Sequence, residues 1–175
     1  MSRKLDDVDL DRFWENSDYA RREYVGSPLT ADVVASVEKE LGYQLPRAYV
    51  NFMKRQNGGL PKKTCHRTAA RTSWAEDHIA ISGIYSIGWD KCSSLCGEHG
   101  SKFWMEMWEY PEIGIYFADC PSAGHEMVCL DYRFCGPSGE PAVVHVDQDG
   151  DYKITAVAPD FASFILGLEG DEAFS

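Results

Sequence analysis

A chain of 175 residues with 44% hydrophobic and 13% aromatic side chains has the length of one domain and the composition of a globular one, which excludes intrinsic disorder. Its 28 acidic and 17 basic side chains leave a net charge of −11, a surface that repels phosphate backbones and suits a basic partner. No stretch reaches the ~20 apolar residues of a membrane span, and the first residues turn acidic where a signal peptide needs an apolar core, so the cytoplasm is the expected location.

Residues 1–29 read as an acidic, aromatic arm in which Phe13, Trp14, Tyr19 and Tyr24 alternate with Asp9, Asp11, Glu15 and Asp18. Its rings are too apolar for a free tail, so the arm is expected to pack on a domain spanning 30–175, with one short helix of its own. A helix opens at Thr30, whose hydroxyl suits a cap, with Asp32 in its first turn. Val33, Val34, Val37 and Leu41 recur at helical spacing, and Gly42 supplies the left-handed stop. Pro46 opens a second helix with Tyr49, Phe52 and Met53 inward, and Asn57-Gly58-Gly59 ends it, completing an αα-hairpin.

Beyond Pro61 the period changes. His78–Ser82 and Gly83–Ile87 alternate as strands do, and Gly88–Gly100 reads as a loop bearing Gly and Cys. Phe103–Tyr110 is an aromatic stretch. Gly114–Ala118 reads as a central strand and Met127–Tyr132 as the next. Pro141–Val146 and Tyr152–Val157 flank Asp147-Gln148-Asp149-Gly150-Asp151 as a hairpin. Asp160 caps a closing helix, with Phe161, Phe164, Ile165 and Leu168 at spacing i, i+3, i+4, i+7. The order predicts an α+β fold: an N-terminal helical hairpin, a central antiparallel-rich sheet of about five to six strands, and a C-terminal helix.

Six cysteines in a reducing compartment read as thiols rather than disulfides. Cys92, Cys96 and His99, then Cys120, His125 and Cys129, with Cys135 beyond, carry zinc-type ligands, yet no Cys-x-x-Cys pair exists and Cys129 sits within a core-like strand. Ordinary thiols account for them. A Cys120–His125 dyad lacks an orienting group and an oxyanion site in the sequence. The Asp147–Asp151 run has its glycine fourth and Ala158 in twelfth place, unlike a calcium loop, and a hairpin turn explains it without an ion. No metal or cofactor is expected. For Trp104, Trp108 and Tyr110, interleaved with Glu106 and Glu109, two readings stand: core packing, and a surface of the kind that forms binding hot spots.

Val37-Glu38-Lys39-Glu40-Leu41-Gly42-Tyr43-Gln44-Leu45-Pro46, followed by Tyr49, Phe52 and Asn57-Gly58-Gly59, resembles the opening signature of the SUKH superfamily, the group named partly for fungal cell-wall assembly regulators. Leu130-Asp131-Tyr132, Gly139-Glu140-Pro141-Ala142-Val143, Ala158 and Phe161–Phe164 resemble its closing half, so the likeness spans about 30–168, loosely over 64–108. The resemblance implies a non-enzymatic α+β domain that works by binding. Bacterial members are typically immunity proteins that block a secreted polymorphic toxin, frequently a nuclease; a regulatory or adaptor scaffold, as among the fungal members, is the alternative. The expected partner is thus a cognate toxin with a basic nucleic-acid-binding face, with no direct nucleic-acid or membrane contact. The predicted contact residues are Trp104, Glu106, Trp108, Glu109 and Tyr110, followed by Asp147, Asp149 and Asp151 at the hairpin tip.

Overall fold

The computed structural model describes residues 4–174. The arm forms a 3-10 turn at Leu5–Asp7 and two short helices, α1 (Leu10–Phe13) and α2 (Asp18–Glu23), where one was expected. Asp9 and Ser17 cap them by accepting from the N–H groups of Asp11 and Ala20. Then come α3 (Ala31–Leu41) and α4 (Arg47–Arg55), the anticipated pair. Thr30 Oγ1 accepts from Val33 N–H, and Gly42 closes α3 with φ +83°. Pro46 stands just outside α4, at its N-cap.

Strands β1 (Cys65–Arg67) and β2 (His78–Ala80) pair antiparallel as a small separate sheet. β3 (Gly83–Ile84) then begins the main sheet, and helix α5 (Ser101–Met107) occupies much of the aromatic stretch. β4 (Gly114–Asp119), β5 (Glu126–Asp131), β6 (Ala142–Asp147) and β7 (Lys153–Ala158) follow, and α6 (Phe161–Leu166) comes after them, capped by Asp160 accepting from Ser163 N–H. The main sheet is an antiparallel meander in the order β3-β4-β5-β6-β7. The expected α+β architecture is therefore present.

α4 and α6 meet over the sheet through rings: Tyr49 lies 4.8 Å from Phe161, and Phe117 lies 5.8 Å from Phe161 and 5.6 Å from Phe164. α5 lies at the edge of β4 that β3 is too short to reach, where Ser101 Oγ accepts from the N–H of Tyr116. Burying these side chains removes several hundred Å² of apolar surface from water, each ring contributing about 2–3 kcal/mol.

Arm, α4 and sheet converge on Asn57-Gly58-Gly59. Asn57 Nδ2 donates to the carbonyls of Ser27 and Ile87, its Oδ1 accepts from Ile87 N–H, and its own carbonyl accepts from Gly26 N–H. Gly58 has φ +90°, and a Cβ there would fall 2.7 Å from the Tyr24 carbonyl and 2.8 Å from Ser86 N. Gly59 and Ile84 exchange two backbone hydrogen bonds. The arm is fastened at two further places. Trp14 is buried and stacks on Phe52 at 5.7 Å. The Tyr24 hydroxyl donates to the Asp119 carboxylate, whose Oδ1 also accepts from Gly83 N–H.

Trp14→Ala is expected to cost about 3–5 kcal/mol, measured by denaturant unfolding; a loss below about 1 kcal/mol would show the arm to be ornamental. Asp119 gives a pH signature. Burial raises its pKa to about 6, against the opposing hydrogen bonds from Tyr24 and Gly83. The native carboxyl thus holds its proton above the ordinary 3.8, so its contribution is full at low pH and is lost as pH rises through about 6. The wild type should lose up to about 3 kcal/mol relative to Asp119→Asn between pH ~4 and ~7. A difference that stays flat over that range would contradict the assignment.

Candidate functional site

The aromatic stretch turns most of its ring surface inward. Trp104 is 8% exposed, and its indole N–H donates to Tyr85 Oη at 3.1 Å and to the His99 carbonyl at 2.9 Å. Tyr110 is 1% exposed and its hydroxyl donates to the Gly124 carbonyl. Trp108 is half-buried, 5.5 Å from Trp104 and edge-on to His125. Gly124, at φ +93°, lets the chain run beneath both indoles: a Cβ there would fall 2.8 Å from Trp104 and 3.0 Å from Trp108. Glu106 and Glu109 are exposed, Glu109 with φ +62°, and Met107 projects into solvent beside them. Of the predicted contact residues in this stretch, solvent therefore meets Glu106, Glu109 and one edge of Trp108, while Trp104 and Tyr110 hold α5 to the sheet.

The hairpin divides in the same way. Asp147 is 1% exposed and accepts from Ser73 N–H at 2.7 Å and Gly150 N–H at 3.2 Å. It fastens the 68–77 loop and the turn, and so lies below the tip. Asp149 and Asp151 are exposed; Asp149 meets His125 Nδ1 at 3.1 Å, and Asp151 adopts the left-handed conformation at φ 58°. Beneath the turn, the register sets Glu126 against Asp147, with His145 two residues along β6. His145 and Glu126 are both buried, and their Nε2 and Oε1 atoms stand 3.1 Å apart without the alignment of a hydrogen bond.

The thiols fall into distinct settings. Cys65, Cys120 and Cys129 are buried, Cys92 and Cys96 half-buried, and Cys135 exposed. Burial, with Glu126, Asp119 and Asp147 nearby, pushes the Cys120 thiol well above its usual range. His125 is exposed and turned toward Gln148 and Asp149, so it is not positioned to activate that sulfur. Cys92 Sγ does meet His99 Nδ1 at 3.1 Å, but desolvation and Glu98 raise this thiol too. Among the described residues no group of three or more His, Cys, Asp or Glu is arranged to hold a metal ion, and no helix is long and apolar enough to cross a membrane.

The largest exposed rings lie elsewhere: Tyr19, Trp74, Trp89 and Phe134. Trp89 follows Gly88 inside the predicted loop, and Phe134 sits in the β5–β6 turn. A large ring beside a glycine or within a tight turn is the signal that could have singled them out. Most charge lies outside: among the described residues the carboxylates of Glu126, Asp131 and Asp147 are buried and that of Asp119 is largely so.

The family model SUKH_6, described as SMI1-KNR4 cell-wall, matches residues 31–165. A search of curated proteins finds no match. The matched segment holds the αα-hairpin, the main sheet and most of α6, and leaves out the arm with Trp14 and Tyr24.

Asp147→Ala should cost about 2–3 kcal/mol, because it strands the Ser73 and Gly150 N–H groups, while Asp149→Ala should stay within about 0.5 kcal/mol. Equal costs in denaturant unfolding would refute this division of the hairpin into anchor and surface.

Proposed function

This chain belongs to the SUKH superfamily, and from that premise we propose that it is an immunity-type binding protein that neutralises a cognate toxin by covering the toxin's active face. The observation that carries the reading is the family match over residues 31–165. Bacterial members of the superfamily typically block secreted toxins, and the acidic surface supports the same conclusion. A net charge of −11, with most of the acidic side chains exposed, complements the basic cleft with which a nuclease grips its substrate. Such a field speeds encounter and disfavours wrong partners. The protein acts in the cytoplasm, where a nuclease toxin would reach its target. It works by occupancy rather than turnover and needs no cofactor.

The test pairs the purified chain with the toxin domain encoded beside its gene. A stable one-to-one complex that abolishes the toxin's activity is expected. Its association rate should fall steeply between about 50 and 500 mM salt while dissociation changes little. If the two proteins do not associate, the reading fails; if they associate and leave the toxin active, the chain is an adaptor instead.

A further inference from the structure

One flank of α3 borders three neighbouring hollows, each sharing a wall residue with the next. The first, of about 310 Å³, is walled by Pro28, Leu29, Val33 and Ile87 and ends at Trp89. Trp89 is also a wall of the second, of about 70 Å³, which ends at Leu41. Leu41 in turn opens the third, of about 460 Å³, over Tyr43, Ile113 and Tyr132. The eleven residues of α3, along which the hollows lie, span about 16 Å.

Three features set this groove apart from an ordinary crevice. First, Trp89 at its centre is 48% exposed, and among the described residues its indole N–H has no acceptor and its ring no aromatic neighbour. An exposed indole is among the side chains enriched at the heart of protein interfaces. Second, the loop presenting it is pinned on both sides. Asp90 Oδ2 accepts from the N–H and hydroxyl of Ser27, and Cys96 N–H donates to the Gly88 carbonyl. Little ordering would remain to be done on binding. Third, the rim is acidic in effect. Its lining cations Lys102 and Arg133 are taken up by Glu40 at 3.0 Å and Asp131 at 2.8 Å, whereas the lining carboxylates Asp90 and Glu112 have no ion pair among the described residues.

We propose that this groove along α3, centred on Trp89, is the docking surface for a basic segment of a partner protein, a segment with a large apolar side chain that packs on the indole and cationic ones that meet the carboxylates of the lining. The assignment deepens the binding-protein reading and rests on it. A second copy of this chain carries the same −11 charge and would be repelled, and nucleic acid is disfavoured for the same reason.

The experiment needs no toxin, so it fails independently of that reading. The full-length, nitrogen-15-labelled chain is titrated with a lysine-rich peptide of about twelve residues bearing a central Leu-Phe pair, a length that spans the groove as a helix. A counterpart with glutamate in place of lysine is the control. The lysine peptide should bind saturably and shift the Trp89 indole resonance together with the Val33 and Leu41 amides, while the glutamate peptide should not. Trp89→Ala, an exposed position whose loss leaves the core untouched, should weaken binding about tenfold or more. Glu112→Lys should weaken it about twofold or more and reduce its salt dependence. The proposal is overturned if the peptide does not bind, if both peptides bind alike, if Trp89→Ala binds as the wild type does, or if the shifts centre on Asp149 and Asp151.

Discussion

The turn at Asn57-Gly58-Gly59 is the constraint from which the rest of the architecture follows. At its centre a buried primary amide replaces water for backbone groups of the arm and of the segment after β3, binding Ser27 and Ile87 at once. A carboxylate there would have no N–H to offer the two carbonyls, and an apolar residue would leave two acceptors and a donor unmet in the interior. Gly58 completes the arrangement, because only a residue without Cβ fits between the Tyr24 carbonyl and Ser86. Three pieces distant in sequence are thereby forced into one place, and the arm becomes part of the body although the family match begins after it.

How far this could be read in advance depended on the range of the interaction involved. The caps at Thr30 and Asp160 and the left-handed Gly42 are local, decided by residues within one turn, and each does what its type suggests. Asp131 likewise accepts from the N–H of Arg133 at the end of β5, a bond within two residues. The contact surface was harder. In a seven-residue helix an aromatic–acidic alternation does not show which rings face the body; Ser101 at the bare edge of β4 and the bare backbone of Gly124 decide it. Asp147 misleads for a related reason. A run of aspartates between strands looks uniformly solvated, yet the N–H of Ser73, seventy-four residues away, draws the first of them inside. Long-range partners of this kind leave no trace in spacing.

The interior keeps a polar minority. Glu126 and His145 face each other below the hairpin, and Tyr24 reaches Asp119 at the same end of β4 and β5, where Asp119 stands opposite Met127. Buried groups on the strands reject alternative registers, since a slip by one residue would carry Glu126 and His145 to the opposite face of the sheet. With the pinned Trp89 loop, they describe a body built to hold its outline, which suits recognition by shape and charge better than by folding around a partner.

The distribution of thiols gives the molecule an internal clock. Cys135 stands in solvent, Cys92 and Cys96 are half-covered, and Cys65, Cys120 and Cys129 are sealed in three separate regions: the small sheet, the end of β4 and the middle of β5. A thiol reagent must therefore wait for each region to open before it can react there, and the sequence of labelling reports which part of the body loosens first.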